Sequence, residues 1–166
     1  AKERALIARA VETIRRVHGK GPVGWHTKSS ASVNTRRLLV EHGGFLYDSD
    51  AYNDDAPYYL HVSGRPHLVL PYAFDSNDMK FFHPNGFVNA DEMVTYVHDA
   101  LEVLIAEGEA GYPRMLNIGW HLRIAGRPGR FAAFMRILKL LDDYGDKVWV
   151  ARRIDIAKSW REQFPA

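Results

Sequence analysis

Apolar residues recur every three or four positions through long parts of the chain, a spacing that is typical of amphipathic helices. In the longest of these segments the apolar stripe contains Met93, Val97, Leu101 and Leu104, and Asn89 precedes it as a candidate N-cap. This pattern and the glycines that interrupt it predict helices over 2–18, 35–42, 90–107 and 129–144, with a closing helix or turn over 154–164.

Short apolar runs lie between these helices and predict buried strands at 23–26, 45–47, 67–72, 115–120 and 148–150. Polar segments rich in Ser, Asp, Gly or Pro predict loops over 27–33 and 51–66. Apolar strands that alternate with helices are typical of a parallel sheet covered by helices. Five strands are too few to close a barrel, which needs about seven or eight. We therefore predict an α/β fold, either an open doubly wound sheet or part of a barrel.

The first ten residues already show the helical pattern, and neither a Met nor a capping residue precedes it. We therefore expect residues 1–166 to form a single domain that is the C-terminal portion of a longer protein. The alternative is an N-terminus that lacks only a few residues.

The composition argues against several classes of partner. The 22 basic and 20 acidic residues give a net charge of +2, without a basic block that would indicate nucleic-acid binding. No apolar run is long enough to cross a membrane. The sequence contains no cysteine, which excludes disulfides and thiolate metal sites and is consistent with a cytoplasmic protein. The histidines show neither H-x-x-x-H nor H-E-x-x-H spacing, so we expect no transition-metal site made by this chain alone.

Polar, aromatic and charged side chains follow each of the first four predicted strands. The carboxyl ends of parallel strands meet at one edge of a sheet, so we predict that these side chains line a pocket for a small polar substrate. The candidates lie in the last residues of a strand or after it: Trp25 and Thr27 for the first strand, Asp48 and Asp50 for the second, Tyr72, Asn77 and Asp78 for the third, and Trp120, His121 and Arg127 for the fourth.

Three of these residues are candidate catalysts. His121 could protonate a leaving nitrogen, because imidazole exchanges protons near neutral pH, or it could simply bind a backbone carbonyl. Asp48 and Asp50 have the same strand parity, so in an extended strand both point to the same side. They could act as base and orienting group, or they could bind a cation. The alternative for Asp48 is that it caps a turn.

The remaining candidates have a binding role or a structural one. Residues 75–78 have the composition of an Asx turn, although a loop that faces a ligand is also compatible with the sequence. Arg127 directly precedes a predicted helix and could clamp a carboxylate or urea oxygen. The arginine pairs 36–37 and 152–153 are expected at the surface, either solvated or in ion pairs.

Six segments of the sequence together resemble the polysaccharide deacetylase superfamily, in particular its branch with the allantoinase of urate catabolism and the cyclic imidases. Together they cover nearly the whole chain. Four are continuous: Gly24-Trp25-x-Thr27, Asn34–Leu38, Gly43–Asp50 and Val148–Ala157. Two have two parts each: Leu70–Tyr72 with Asn77–Met79, and Ile118–His121 with Gly126–Arg130.

This resemblance implies the C-terminal part of a distorted (β/α)7 barrel, the NodB-like deacetylase fold, with about five parallel strands in this chain. It implies that the barrel hydrolyses a carbon–nitrogen amide bond and that His121 matches the general-acid histidine of the last conserved motif. In the wider superfamily a catalytic aspartate and an Asp-His-His metal site come from the first half of the barrel. Any zinc-type metal would therefore be bound by that first half of the barrel. The metal ligands are altered in the allantoinase branch, so the resemblance does not imply that this chain requires zinc.

Three functions are compatible with the resemblance. The leading one is ring-opening hydrolysis of a cyclic ureide or imide such as allantoin. The second is metal-dependent N-deacetylation of an N-acetyl sugar polymer such as peptidoglycan or chitin, and the third is a non-catalytic assembly subunit. The expected partners are a small-molecule amide substrate, the N-terminal half of the barrel as a separate chain or fragment, and further copies of this chain in an oligomer. We expect neither nucleic acid nor a membrane as a partner.

Overall fold

The computed structural model describes residues 1–28 and 30–166, so Ser29 in the predicted loop 27–33 lies outside the described residues. The chain divides into two compact units. The first contains residues 1–71 and 151–166, and the second contains residues 72–150. The interpretation of 1–166 as one domain at the C-terminal end of a longer barrel stays a prediction.

The helices agree closely with the amphipathic pattern. The structure has α1 at Lys2–His18, α2 at Thr35–His42, α3 at Ala90–Glu109, α4 at Leu122–Ala125, α5 at Pro128–Tyr144 and α6 at Arg153–Gln163. Asn89 caps α3 as predicted, since its side chain accepts a hydrogen bond from the backbone N–H of Glu92. Short 3-10 helices lie at Asp78–Phe82 and Gly145–Lys147.

The strands within the described residues all belong to the first unit. They are β1 at Gly24–Trp25, β2 at Tyr47–Asp48, β3 at Tyr58–Val62 and β4 at Arg65–Val69, in the order β1-β2-β4-β3. The pairs β1–β2 and β2–β4 are parallel, and β3–β4 is antiparallel. The α/β class is confirmed, because parallel strands alternate with helices along the first unit.

The prediction of about five parallel strands is wrong in its details. The segment 51–66, predicted as a loop, contains β3 and the start of β4, joined by a turn in which Ser63 and Gly64 have φ of 52° and 73°. Two successive residues with positive φ are typical of a tight hairpin turn. The Asp and Pro residues of the segment favoured a loop in the prediction, so the hairpin was not predicted.

The predicted strands 115–120 and 148–150 also do not form. Within the described residues the first of them makes only an isolated parallel bridge, between Asn77 and Gly119, and the second is not part of a sheet. An apolar run becomes a strand only where a neighbouring strand supplies backbone hydrogen bonds, which the pattern of the run itself does not show.

Each unit has its own apolar core. In the first unit Ile7 of α1 packs with Leu38 and Leu39 of α2, and Trp25 and Phe45 cover this cluster. In the second unit α3 packs against α5, and the cluster consists of Phe87, Met93, Val97, Leu101, Ala133 and Ile137. In α3 the buried residues Met93, Val97 and Leu101 belong to the predicted apolar stripe. A search of the described residues for a helix long and apolar enough to cross a membrane finds none.

Candidate active site

The carboxyl end of β2 carries a buried ion network centred on Asp48, whose side chain is fully buried. Its Oδ2 accepts hydrogen bonds from Arg36 Nε at 2.7 Å and His67 Nε2 at 2.9 Å. Its Oδ1 accepts from Arg36 Nη2 and from the backbone N–H of Asp50, both at 2.9 Å. Four donors therefore satisfy this carboxylate and join α2, β2 and β4.

The network keeps Asp48 ionised. Burial alone would raise the pKa of Asp48, but the hydrogen bonds from His67 and Arg36 outweigh burial and lower the pKa from 3.8 to about 2. The pKa of Arg36 is raised by the same contact. A carboxylate with so low a pKa is a poor proton acceptor at neutral pH, since an effective general base has a pKa near the working pH.

A catalytic role for Asp48 therefore stays a prediction, and the geometry favours the structural alternative. The hydrogen bond from the N–H of Asp50 to Asp48 Oδ1 is the turn-capping contact that was expected for an aspartate directly after a strand.

A second group of polar side chains surrounds Asp50. Its Oδ1 accepts a hydrogen bond from the backbone N–H of Thr27 at 2.7 Å, and its Oδ2 accepts one from Thr27 Oγ1 at 2.6 Å. Trp25 Nε1 in turn donates to Thr27 Oγ1 at 2.8 Å. His26 Nδ1 lies 3.4 Å from Asp50 Oδ1. The structure thus brings the predicted residues Trp25, Thr27 and Asp50 together at the ends of β1 and β2.

Arg153, the first residue of α6, also reaches the carboxyl ends of the strands in the first unit. Its Nε donates to Ser49 Oγ at 3.1 Å, and its Nη2 donates to the carbonyls of Leu70 and of Pro71, the latter at 3.0 Å. It therefore fastens α6 to the residues that follow β2 and β4, which is a structural role.

In the second unit, Asp78 holds His121. Asp78 Oδ1 lies 2.7 Å from His121 Nδ1, and Asp78 Oδ2 accepts the backbone N–H of His121 at 2.7 Å. The carboxylate is completely buried, whereas the imidazole side chain is 30% exposed. One buried acid therefore fixes both the ring and the backbone of a histidine that solvent can reach, an arrangement that orients an imidazole for proton transfer.

The approach of residues 76–78 to residue 119 builds this pair. The backbone N–H of Asp78 donates to the carbonyl of Gly119 at 3.0 Å, and the N–H of Gly119 donates to the carbonyl of Ser76 at 3.1 Å. A Cβ at position 119 would lie 2.1 Å from Asn77 Nδ2, so only glycine fits. Two residues after this glycine, the chain reaches His121 within range of Asp78.

The other predicted residues of the second unit lie in different surroundings. Asn77 is 1% exposed, and its amide donates to Tyr72 Oη at 2.9 Å and accepts from the N–H of Met79. Trp120 packs edge-on against Phe134, with ring centroids 5.1 Å apart, at the side of the apolar core. Arg127 is exposed and directly precedes α5. Their roles in substrate binding stay predictions.

Three residues of these networks were not predicted from the sequence. Arg36 and Arg153 were expected at the surface, but both are partly buried, and His67, which is 4% exposed, had no predicted role. A signal for Arg36 was present, because it lies three positions before the buried Leu39 on the same side of α2. Asp78 was predicted to bind substrate, and its pairing with His121 was not predicted. The contact spans 43 positions in sequence, which periodicity does not reveal.

No group of three or more His, Asp or Glu side chains that could hold a metal ion occurs among residues 1–28 and 30–166. The part of the chain that the structure describes therefore does not fit the Asp-His-His site that the family resemblance associates with the first half of the barrel.

Comparisons with known proteins identify relatives over almost the whole chain. A Schizosaccharomyces pombe protein described as "putative polysaccharide deacetylase" is 37% identical over 175 residues, which cover 96% of this chain and 54% of that protein. A scan against models of protein families gives no match. The chain spans about half the length of the relatives that it matches.

Two solved structures have the same fold as this chain. The crystal structure of a probable polysaccharide deacetylase from Pseudomonas aeruginosa PAO1 matches with a TM-score of 0.91 and 46% identity, over 99% of this chain and 55% of that one. The crystal structure of PuuE allantoinase matches with a TM-score of 0.91 and 44% identity, over 99% of this chain and 54% of that one. By sequence and by its partial NodB-like barrel fold, the chain belongs to the polysaccharide deacetylase family.

Proposed function

We propose that this chain forms part of an amidohydrolase that cleaves a non-peptide carbon–nitrogen bond, and that its substrate is a cyclic ureide or imide such as allantoin. The observation that carries the proposal is the buried carboxylate of Asp78 against the part-exposed imidazole of His121. The likeness to PuuE allantoinase, at 44% identity, supports the choice of a cyclic substrate.

In this proposal His121 supplies the proton that the leaving nitrogen needs. Asp78 engages Nδ1 of the ring, which leaves Nε2 as the nitrogen that exchanges a proton with the substrate. Water adds to the carbonyl carbon and loses a proton to solvent, the carbon–nitrogen bond breaks, and the proton on His121 Nε2 moves to the departing nitrogen, after which solvent returns a proton to His121. The buried carboxylate keeps the ring in one orientation.

Substrate binding is assigned to residues that solvent reaches. Arg127, in the same unit as His121, is exposed and is the candidate clamp for a urea or carboxylate oxygen. The roles of Trp25 and Thr27, in the first unit, stay predictions. Asn77 is a weaker candidate, because both its amide groups are already bonded within the protein.

A second candidate function is N-deacetylation of an N-acetyl sugar polymer, which the descriptions of two of the relatives favour. The described residues form no metal-binding group, so a metal-dependent deacetylase would need its ligands from outside this sequence. Assays of allantoin, succinimide-type imides and N-acetylglucosamine oligomers, each with and without chelator, separate the two functions. Chelator-sensitive release of acetate from the oligomers, with no ring opening, would favour the deacetylase.

We further propose that the complete catalytic unit contains the other half of the family barrel, supplied as a separate chain or a fragment, and that it assembles as an oligomer. The relatives are about twice as long as this chain, which supports this proposal. Purified chain alone that is monomeric, melts in one sharp cooperative transition and is fully active would contradict it.

The direct test of the proposed chemistry replaces the two paired residues. We expect His121→Ala and Asp78→Asn each to lower kcat by about 10²–10⁴-fold, because the proton donor is removed or loses its orientation. The matched control is His83→Ala, an exposed histidine of the same unit, which should keep normal turnover. Unchanged kcat in folded His121→Ala protein, confirmed by circular dichroism, would show that His121 has only a structural role.

A further inference from the structure

Helix α5 of the second unit carries an apolar stripe on its exposed face. Phe131, Met135 and Leu138 lie at positions i, i+4 and i+7, so their side chains share one side of the helix. Their exposed fractions are 46%, 51% and 45%, whereas Ala133 and Ile137 of the same helix are buried in the core. A row of large, half-exposed apolar side chains is typical of an interaction surface.

The aromatic end of this stripe is held from behind. Phe131 stacks on Phe134 with ring centroids 5.7 Å apart, and Phe134 meets Trp120 edge-on at 5.1 Å. Trp120 in turn packs against the apolar core of the unit. A side chain that is already ordered loses little conformational entropy when a partner covers it, so this part of the stripe is prepared for binding.

The two ends of the stripe carry opposite charges. Exposed Arg127 lies four positions before Phe131 and precedes the helix, and exposed Asp142 lies four positions after Leu138 in its last turn. Among residues 128–144, all of which the structure describes, no acid lies in the first turn and no base in the last. The positive N-terminal end and the negative C-terminal end of the helix dipole are therefore not compensated within the helix itself.

The order of these positions is self-complementary. The midpoint between 131 and 138 is also the midpoint between 127 and 142, and Met135 lies within one residue of it. When two copies of α5 lie antiparallel about a two-fold axis at Met135, Phe131 meets the partner's Leu138, and the end with Arg127 lies beside the partner's Asp142. One arrangement therefore covers both apolar stripes and brings opposite charges and opposite dipole ends together.

We propose that the face of α5 formed by Phe131, Met135 and Leu138 binds the same face of a second copy of this chain in antiparallel orientation. The proposal rests on the proposed assembly as an oligomer, whose contact surface it names. A two-fold contact requires a self-complementary surface, whereas contact with the other half of the barrel does not, and this observation favours a second copy as the occupant. The contact uses the charge of Arg127 and needs no hydrogen bond from it.

A single cysteine near the axis tests the orientation. The chain has no cysteine, so a disulfide in Met135→Cys joins two copies, and it forms only where their Cα atoms approach within about 7 Å. Oxidation with diamide should convert most of this variant into a covalent dimer, seen by non-reducing electrophoresis. The matched control is Val103→Cys on α3, where an apolar side chain of the same unit is 58% exposed, and it should remain monomeric.

Sedimentation velocity over about 1–500 µM protein measures the contact without an oxidant. In Met135→Glu two like charges meet at the axis, so we expect the Kd of the dimer to rise at least about tenfold. Val103→Glu should associate like the wild type. Circular dichroism checks that both variants are folded, and the disulfide test covers the case in which Met135→Glu is not.

Three results would overturn the inference and leave the proposed hydrolysis untouched. They are association that folded Met135→Glu does not weaken, equal disulfide yields in the two cysteine variants, and a thiol in Met135→Cys that a maleimide cannot reach because the other half of the barrel covers it. A wild type that is monomeric over the whole range would contradict the proposed oligomer as well. Turnover of His121→Ala tests the hydrolysis separately, so the chemistry and the contact can fail independently.

Discussion

Replacement of Asp48 by asparagine tests whether this aspartate holds the fold or takes part in the reaction. The substitution keeps the size of the side chain but removes the negative charge that Arg36 and His67 share. Arg36 contributes two hydrogen bonds to the carboxylate and His67 contributes one. The amide of asparagine cannot accept all of these donors, so in the variant the guanidinium of Arg36, whose side chain is only 26% exposed, loses its counter-ion.

The size of the effect follows from the burial of the pair. Removing one partner of a buried ion pair typically costs about 3–5 kcal/mol, because the remaining charge stays buried without compensation. For a protein of this length about 4 kcal/mol corresponds to a Tm lower by roughly 10 °C. Asp146→Asn, at an exposed aspartate, is the matched control and should change the free energy of unfolding by less than about 0.5 kcal/mol.

Urea denaturation followed by circular dichroism measures the loss, and the kcat of the fraction that remains folded is measured in parallel. We expect a lower unfolding midpoint with kcat of the folded fraction within a few-fold of the wild type. A variant of wild-type stability whose kcat falls by 10²-fold or more would refute the structural interpretation and place Asp48 among the catalytic groups.

The pH dependence of stability provides a second measurement on the same residue. The pKa of Asp48 is lowered from 3.8 to about 2 in the folded protein, so its contribution is fully present above pH 4 and is lost as the pH falls toward 2. At about 1.4 kcal/mol per pKa unit, this contribution is about 2 kcal/mol. The stability difference between the wild type and Asp48→Asn should therefore shrink by about this amount between pH 5 and pH 2. A constant difference would contradict the assignment of the low pKa to Asp48.

Two further predictions concern packing. Gly119→Ala should destabilise the second unit by about 1–3 kcal/mol, because the new Cβ would lie 2.1 Å from Asn77 Nδ2. The control Gly108→Ala, with open space around its Cβ, should be neutral or stabilising. Equal unfolding midpoints for the two variants would contradict the close approach of Gly119 to Asn77. Leu39→Ala should cost about 2–5 kcal/mol because Leu39 is 0% exposed, and Leu6→Ala, at a side chain that is 55% exposed, should cost far less in the same urea titration.

The helices and the identity of the family could be predicted from the sequence because both depend on local information. The predicted helices 2–18 and 35–42 coincide with the observed ones, since an apolar stripe and a terminal glycine act within a few residues. The segments around Asp48 and His121 carried the resemblance to the deacetylases, and the relatives confirm it. The carboxyl ends of β1 and β2 also bring together Trp25, Thr27 and Asp50, as the strand prediction required.

Only the tertiary structure decided which polar groups are partners. The sequence placed Asp78 near a substrate and Arg36 at the surface, whereas the fold places Asp78 on His121 and Arg36 on Asp48. Such pairs join residues 12 and 43 positions apart, and no periodic pattern encodes them. The strands follow the same rule, because a strand needs a hydrogen-bonding neighbour from elsewhere in the chain: Tyr58–Val62 has one in β4, and the apolar residues 148–150 are in no sheet.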